Sequence, residues 1–113
     1  MLNMDMIGRN HPDSLSIGGG IHFPDLTETT KKVNAKLDRP LYLVENIEKF
    51  YLRSDQASFA KVGIPVVFFS SGLHADYHLP SDDLFKIDVG KVGRVSRLCA
   101  ETALTIANAS KGK

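Results

Sequence analysis

The stretch IPVVFF, residues 64–69, decides the fold class of this chain. Its bulky apolar side chains occupy successive positions instead of alternating with polar ones. That pattern is typical of a strand covered on both faces, as in the middle of an α/β sheet. We therefore predict a central β-strand over residues 64–69.

Further strands and helices are predicted on both sides of this stretch. A helix is expected to start at Pro24, because proline suits the first helical turn and the acids of this segment precede its lysines, the charge order that the helix dipole favours. The predicted strands are 1–8, 14–17 and 41–44, and the predicted helices are 24–37, a short one capped by Ser54 through Lys61, and 89–109. Strands alternating with helices predict a three-layer α/β/α fold in one domain, 1–113.

Composition narrows the classes of partner. The chain has 113 residues, 42% of them hydrophobic, which is enough for one modest core. Charged residues make up 24% and the formal net charge is +1, so no strong field attracts nucleic acid or an anionic membrane surface. No apolar run approaches the ~20 residues of a membrane span. The sequence predicts neither a nucleic-acid nor a membrane partner, and it leaves the compartment open.

A polar loop, residues 70–83, follows the predicted central strand. Ligands of open α/β sheets gather at the carboxyl ends of strands. The loop holds His74 and His78 among several aspartates, and imidazole with carboxylate is ligand chemistry suited to zinc. A solvated loop that happens to contain histidines remains the alternative. Asp5 favours a metal, because a carboxylate inside an apolar strand costs several kcal/mol to bury unless a cation or strong donors face it.

Three segments carry a resemblance to a known group of enzymes. They are NMDMIGR (residues 3–9), RSDQASFAKVGIP (residues 53–65) and DYHLPSDDLFKID (residues 76–88). In order and spacing they resemble successive motifs of the zinc-dependent exopeptidase clan MH, which includes bacterial leucyl aminopeptidases, glutamate carboxypeptidases and glutaminyl cyclases. The resemblance spans nearly the whole chain. It implies a mixed sheet and the C-terminal half of a zinc-exopeptidase (phosphorylase/hydrolase-like) fold, so that 1–113 is a partial peptidase domain.

The resemblance also implies roles for particular residues. Asp5 matches a ligand of one zinc and His78 a ligand of the other. Tyr77 matches a catalytic tyrosine whose hydroxyl supports the oxyanion during attack on the peptide carbonyl. Arg53 matches an arginine that contacts the substrate in some members, the alternative being a surface arginine at a helix start. Gln56 stands where the family usually has histidine, which puts the substrate contacts near it in doubt.

Neighbouring residues are expected to play supporting parts. His74 matches a loop position and is not expected to be a ligand, while His11 and His22 are expected to face solvent. Ser54 is expected to cap the short helix or to support the metal ligands. Phe59 is expected to be a core aromatic near a substrate pocket.

Two motifs of the clan are missing from this sequence. In the family, a His-x-Asp motif supplies the bridging aspartate and a histidine, and a Glu-Glu pair supplies the general base and another ligand. No Glu-Glu occurs here, and the only His-x-Asp matches, at residues 11–13 and 74–76, lie in other places. We therefore expect the C-terminal segment of a co-catalytic two-zinc aminopeptidase that removes N-terminal residues from peptide substrates, inactive as the isolated chain. A non-catalytic interaction or structural half-domain, or a glutaminyl cyclase-like one-zinc enzyme, remains an alternative.

An assembly follows from the same resemblance. It implies that the strand over residues 1–8 pairs on one side with residues 64–69 and on the other with a strand that this chain lacks. An open apolar edge is a template for pairing with another chain. We expect a homodimer through this edge, since two-fold symmetry is the commonest arrangement of oligomers.

Overall fold

The computed structural model describes residues 1–109 of the chain, and within them the fold is a four-stranded sheet with helices. The strands are β1 (Leu2–Met4), β2 (Ser14–Gly18), β3 (Tyr42–Val44) and β4 (Val67–Ser70). The helices are α1 (Pro24–Ala35), α2 (Gln56–Ala60) and α3 (Val89–Ala107), with 3₁₀ turns at Glu48–Phe50 and Leu84–Lys86. The order of elements confirms the predicted α/β class. No helix within the described residues is long and apolar enough to cross a membrane.

The sheet is mixed, with strand order β1-β4-β2-β3. Strand β4 runs parallel to β1 and antiparallel to β2, and β2 runs parallel to β3. All residues of β4 are buried, which confirms a central strand. It begins at Val67 and not at Ile64, because Pro65 has no amide N–H for a ladder and Ile64 is half-exposed.

Helices cover both faces of the sheet. Leu2 packs against the core cluster that contains Val95 and Leu98 of α3. The next residue, Asn3, instead bonds to Gln56 of α2. Since successive side chains of a strand point to opposite faces, α2 and α3 lie on opposite sides of the sheet, as a three-layer fold requires.

The first strand differs from its prediction. Residues 1–8 were expected to form a buried strand around Asp5, but the strand covers only Leu2–Met4, and Met4 and Asp5 are exposed. The pairing with β4 is as expected, with Asn3 opposite Phe68. Strand β1 lies at the edge of the sheet, and the chain turns away through Met6, whose φ is +64°. The burial argument for a metal at Asp5 was therefore wrong, because its carboxylate is not desolvated by the sheet.

Two other local expectations were also wrong. Helix α2 begins at Gln56 with Asp55 at its N-cap, and no side chain caps it. Of the two roles expected for Ser54, the helix cap is wrong, because its hydroxyl bonds to Asp5, as expected of a residue that supports a predicted metal ligand. Phe59 is 40% exposed and does not belong to the core, whereas Phe69 is fully buried.

Candidate functional site

A cavity of about 440 Å³ opens where β1 and β4 end, and the four predicted site residues line it. Because the two strands are parallel, their carboxyl ends meet at one edge of the sheet, where ligands of such folds gather. The predicted metal ligands Asp5 and His78, the predicted catalytic Tyr77 and the predicted substrate contact Arg53 all line this cavity. Three separate sequence motifs thus meet in one place.

Asp5 is held at the edge of the cavity by its backbone and by its side chain. Its amide N–H donates to the carbonyl oxygen of Phe69 at 3.1 Å, which continues the β1–β4 pairing by one bond. Its Oδ2 accepts a 2.6 Å hydrogen bond from the hydroxyl of Ser54. Met6, which follows, has the left-handed φ of +64° that turns the chain away from the sheet. The carboxylate therefore has a fixed direction although it is exposed.

A line of polar side chains stands behind Asp5. The Asn3 amide donates to Ser54 Oγ at 3.0 Å and to Gln56 Oε1 at 2.8 Å. The Gln56 amide in turn donates to the carbonyl of Tyr51 at 2.6 Å, and Gln56 is fully buried. Gln56 does not line the cavity, so its part here is to hold Asn3 and, through Asn3, Ser54. Gln56 stands where the resemblance implies a histidine, and here its buried side-chain amide has hydrogen-bond partners for both its oxygen and its nitrogen.

Tyr77 and His78 reach the cavity from the loop after β4. Their rings are stacked, with centroids 3.9 Å apart and planes at 19°. His78 has a φ of +56°, a left-handed conformation that non-glycine residues rarely adopt. Backbone of this kind costs on the order of 1–3 kcal/mol and concentrates at functional sites. The strained residue is the one that the resemblance assigns to a metal.

Arg9 forms ion pairs with two aspartates of this loop. Its guanidinium bonds to Asp76 and, at 2.7 Å, to Asp82, so it joins the segment after β1 to both sides of Tyr77 and His78. Asp76 also accepts from the Ser81 hydroxyl at 2.7 Å and from the Lys86 amine at 3.0 Å. The hydrogen bond from Ser81, followed by those from Arg9 and Lys86, holds the pKa of the Asp76 carboxyl well below its usual range.

Three residues of this support escaped the sequence analysis. Lys91 is 1% exposed, and its amine donates to the carbonyl of Arg9 at 2.7 Å; burial lowers the pKa of this amine. The Asn10 amide donates to the carbonyls of Ser71 and Leu73. A signal for Lys91 was present, since it is a lone cation at the start of an apolar helix stripe. Arg9 and Asn10 gave no signal, because their partners lie far along the chain.

The remaining histidines lie outside the cavity. His11 and His22 are exposed, and His22 stacks on Tyr51 with ring centroids 4.5 Å apart. The His74 side chain is 6% exposed and lies 4.0 Å from Asp82. Arg53 is exposed and lines the cavity with its guanidinium 5.7 Å from the Phe50 ring, a position open both to solvent and to a ligand.

Asp5 and His78 are residue types that bind zinc, but two such side chains are too few to hold a metal alone. A carboxylate and an imidazole are ordinary zinc ligands, and those of Asp5 and His78 line the same cavity. The Ser54 hydroxyl on Asp5 is the type of partner that orients a ligating carboxylate. No group of three or more His, Cys, Asp or Glu residues within 1–109 could hold a metal by itself. The residues present therefore fit a part of a metal centre.

The mixed sheet with flanking helices makes this an α/β fold, and the candidate site lies where its parallel strands β1 and β4 end. The chain belongs to Peptidase family M28, whose family model matches residues 1–103. It is similar to a solved aminopeptidase from Aneurinibacillus sp. strain AM-1, with a TM-score of 0.73 and 25% identity. That alignment covers 93% of this chain and 25% of the aminopeptidase, so the chain spans about a quarter of its length. A comparison with curated protein sequences gave no match.

Proposed function

We propose that this chain forms one wall of a metallo-aminopeptidase active site that removes N-terminal residues from peptides with a pair of zinc ions. The observation that carries the proposal is the convergence of Asp5, Arg53, Tyr77 and His78 on one cavity. These residues come from the three motifs that resemble the exopeptidase clan. Membership of Peptidase family M28 and the similarity to an aminopeptidase support the same activity.

Asp5 and His78 would each hold one metal in this proposal. Zinc ions, when bound, polarise the scissile carbonyl and lower the pKa of an attacking water. The chain's own part is to present the two ligands in fixed directions. The Ser54 hydrogen bond does this for Asp5, and the left-handed backbone and the stacked Tyr77 ring do it for His78.

Tyr77 would act on the substrate directly. Its exposed side chain lines the cavity beside His78, where its hydroxyl can donate to the carbonyl oxygen as negative charge develops there. Arg53, across the same cavity, would contact the bound peptide. Neither residue can serve as the base that accepts the proton of water, and the sequence contains no Glu-Glu pair for that task. We therefore propose that the isolated chain does not hydrolyse peptides.

A complementation assay tests this proposal. The chain is co-expressed with a family segment that carries the His-x-Asp and Glu-Glu motifs; we call the product the complemented protein. We expect it, but not the isolated chain, to hydrolyse leucine anilide in the presence of zinc. Asp5→Ala and His78→Ala should each abolish that hydrolysis, whereas Lys61→Ala, on the surface away from the cavity, should not.

Two outcomes of this assay would contradict the proposal. Hydrolysis that survives unchanged in both Asp5→Ala and His78→Ala shows that these residues hold no essential metal. Hydrolysis by the isolated chain, after passage through a chelating column and reloading with zinc, shows that no second segment is needed.

A further inference from the structure

A second cavity lies away from the candidate site, in a groove between α1 and α3. It measures about 750 Å³ and shares no residue with the cavity at Asp5. Its lining includes apolar Val33 of α1 and Leu37 just beyond the end of α1, together with Gly90 and Gly93 of α3. We call it the helix groove. Neither the family match nor the proposed peptidase chemistry gives it a role.

Three cations line the α1 side of the helix groove: Lys32, Lys36 and Arg39. All three are exposed; Lys32 lies in the last turn of α1, Lys36 is its C-cap and Arg39 lies in the segment that follows. Neither lysine has an acidic partner within residues 1–109, and Arg39 has only a distant one, Asp13 at 3.7 Å. Three exposed cations that line one groove favour an anionic ligand.

The two arginines on the α3 side of the groove already have acidic partners within this chain. Arg94 donates to Asp13 at 2.6 Å and to the carbonyls of Arg39 and Pro40, which holds the segment between α1 and β3 against α3. Arg97 donates to Glu101 at 3.1 Å. The free positive charge of the helix groove is therefore concentrated on its α1 side, although the formal net charge of the chain is only +1.

The glycines of α3 leave space that this chain does not use. A Cβ atom at Gly93 would meet no atom within 4 Å, so close packing inside the chain does not require glycine there. Glycine in a helix interior is unfavourable compared with alanine. Because Gly90 and Gly93 carry no side chains, the backbone of a second chain can approach α3 closely at this part of the groove.

We propose that the helix groove binds an acidic peptide segment of a partner protein, with its carboxylates on Lys32, Lys36 and Arg39 and an aliphatic side chain on Val33 and Leu37. The groove combines these three cations with the apolar side chains of Val33 and Leu37, a lining that suits a peptide in which acidic and aliphatic residues alternate. Nucleic acid fits less well, because Asp38 and Glu101 also line the groove and would face a continuous phosphate backbone. This proposal does not depend on the peptidase activity.

Fluorescence anisotropy with a labelled peptide of repeating Glu-Leu tests the inference on the 113-residue chain. A peptide with Gln in place of Glu is the matched ligand control. We expect saturable binding of the Glu peptide that weakens with salt, and little binding of the Gln peptide. Lys32→Gln with Lys36→Gln should weaken it about tenfold, as expected for the loss of two partly exposed ion pairs.

Two further variants locate the binding. Lys49→Gln with Lys61→Gln makes the same change in net charge outside the groove and should leave the affinity unchanged. Gly93→Leu fills the open wall; it should weaken binding while the helix stays folded, since leucine favours helix and meets no atom there. Amide NMR signals of Gly90 and Gly93 should shift when the Glu peptide is added.

Three results overturn the proposal. One is the absence of saturable binding by the Glu peptide. A second is equal weakening by the Lys49/Lys61 pair, which would show a nonspecific charge effect. A third is tighter binding of a single-stranded oligonucleotide at the same amides, which would make the groove a nucleic-acid site.

Discussion

The hydroxyl of Ser54 donates a 2.6 Å hydrogen bond to Oδ2 of Asp5, and through it the second motif of the chain fixes the direction of a carboxylate from the first. Behind it, Asn3 donates to both Ser54 and Gln56. A fully buried amide is thus connected to an exposed carboxylate at the cavity. Such outer partners set how well a carboxylate can hold a metal.

Ser54→Ala should lower the zinc affinity of the complemented protein by roughly 10–100-fold, the usual cost of losing an outer-shell partner of a metal ligand. Competition with a chromogenic chelator measures the affinity. Ser54→Thr keeps the hydroxyl and should retain most of the affinity, and Ser58→Ala, exposed on the nearby helix α2, is the matched control. An unchanged zinc affinity in Ser54→Ala would show that the hydrogen bond has no part in metal binding.

Tyr77→Phe should lower kcat of the complemented protein by about 10²–10³-fold, since it removes one donor to the developing oxyanion. The phenyl ring can still stack on His78, so zinc content should stay that of the parent. Steady-state kinetics and metal analysis of the same sample separate the two effects. Loss of zinc from this variant would assign Tyr77 a structural role instead.

The contribution of Asp76 and its hydrogen bonds to the stability of the fold should fall at acidic pH. Asp76 has a lowered folded-state pKa because Ser81, Arg9 and Lys86 favour its ionised form. Its contribution to stability is therefore complete above the ordinary aspartate pKa of about 4, and it is lost as pH falls below that value toward the lower folded-state pKa.

Asp76→Asn should accordingly lower Tm at neutral pH, and the difference from the parent should shrink as the pH falls below about 4. Thermal melts across that range measure it. Asp38→Asn, an exposed aspartate without an ion pair among residues 1–109, serves as the control and should show little change. A Tm difference for Asp76→Asn that does not vary with pH would contradict the account.

Strand β1 should mediate association of the isolated chain into a homodimer. Within the described residues it pairs only with β4, and its Met4 is 42% exposed. We expect sedimentation at micromolar concentration to show a dimer. Met4→Lys should return it to monomer, because a charge on an edge strand opposes pairing. Val62→Lys, on an exposed position outside the strand, should not. A clean monomer in the parent chain would contradict this expectation.

Much of the fold could be predicted because local signals agreed with the tertiary structure. The apolar run at β4 and the proline at the start of α1 led to correct elements, with ends displaced by a few residues. The burial of Asp5 was wrong because an apolar sequence does not show that β1 stops at Met4 and lies at a sheet edge. Edge position depends on distant pairing, which local patterns do not contain.

That the candidate residues lie close together could be predicted from the resemblance, whereas most of the contacts that support them could not. The resemblance pointed to four residues, and all four line one cavity. Ser54 was expected either to cap a helix, where serine is common, or to support the metal ligands, and its side chain takes the second position, on Asp5. The bonds from Arg9 to Asp76 and from Lys91 to Arg9 join residues far apart in the chain, so only the folded structure reveals them.

Calorimetric zinc titration tests the central claim most directly, because it asks whether Asp5 and His78 form part of a metal centre that needs a second segment. We predict weak or no binding by the isolated chain and sub-micromolar binding by the complemented protein, with zinc lost from the complemented Asp5→Ala and His78→Ala variants. Sub-micromolar, stoichiometric binding by the isolated chain, or unchanged binding in both complemented variants, would contradict it.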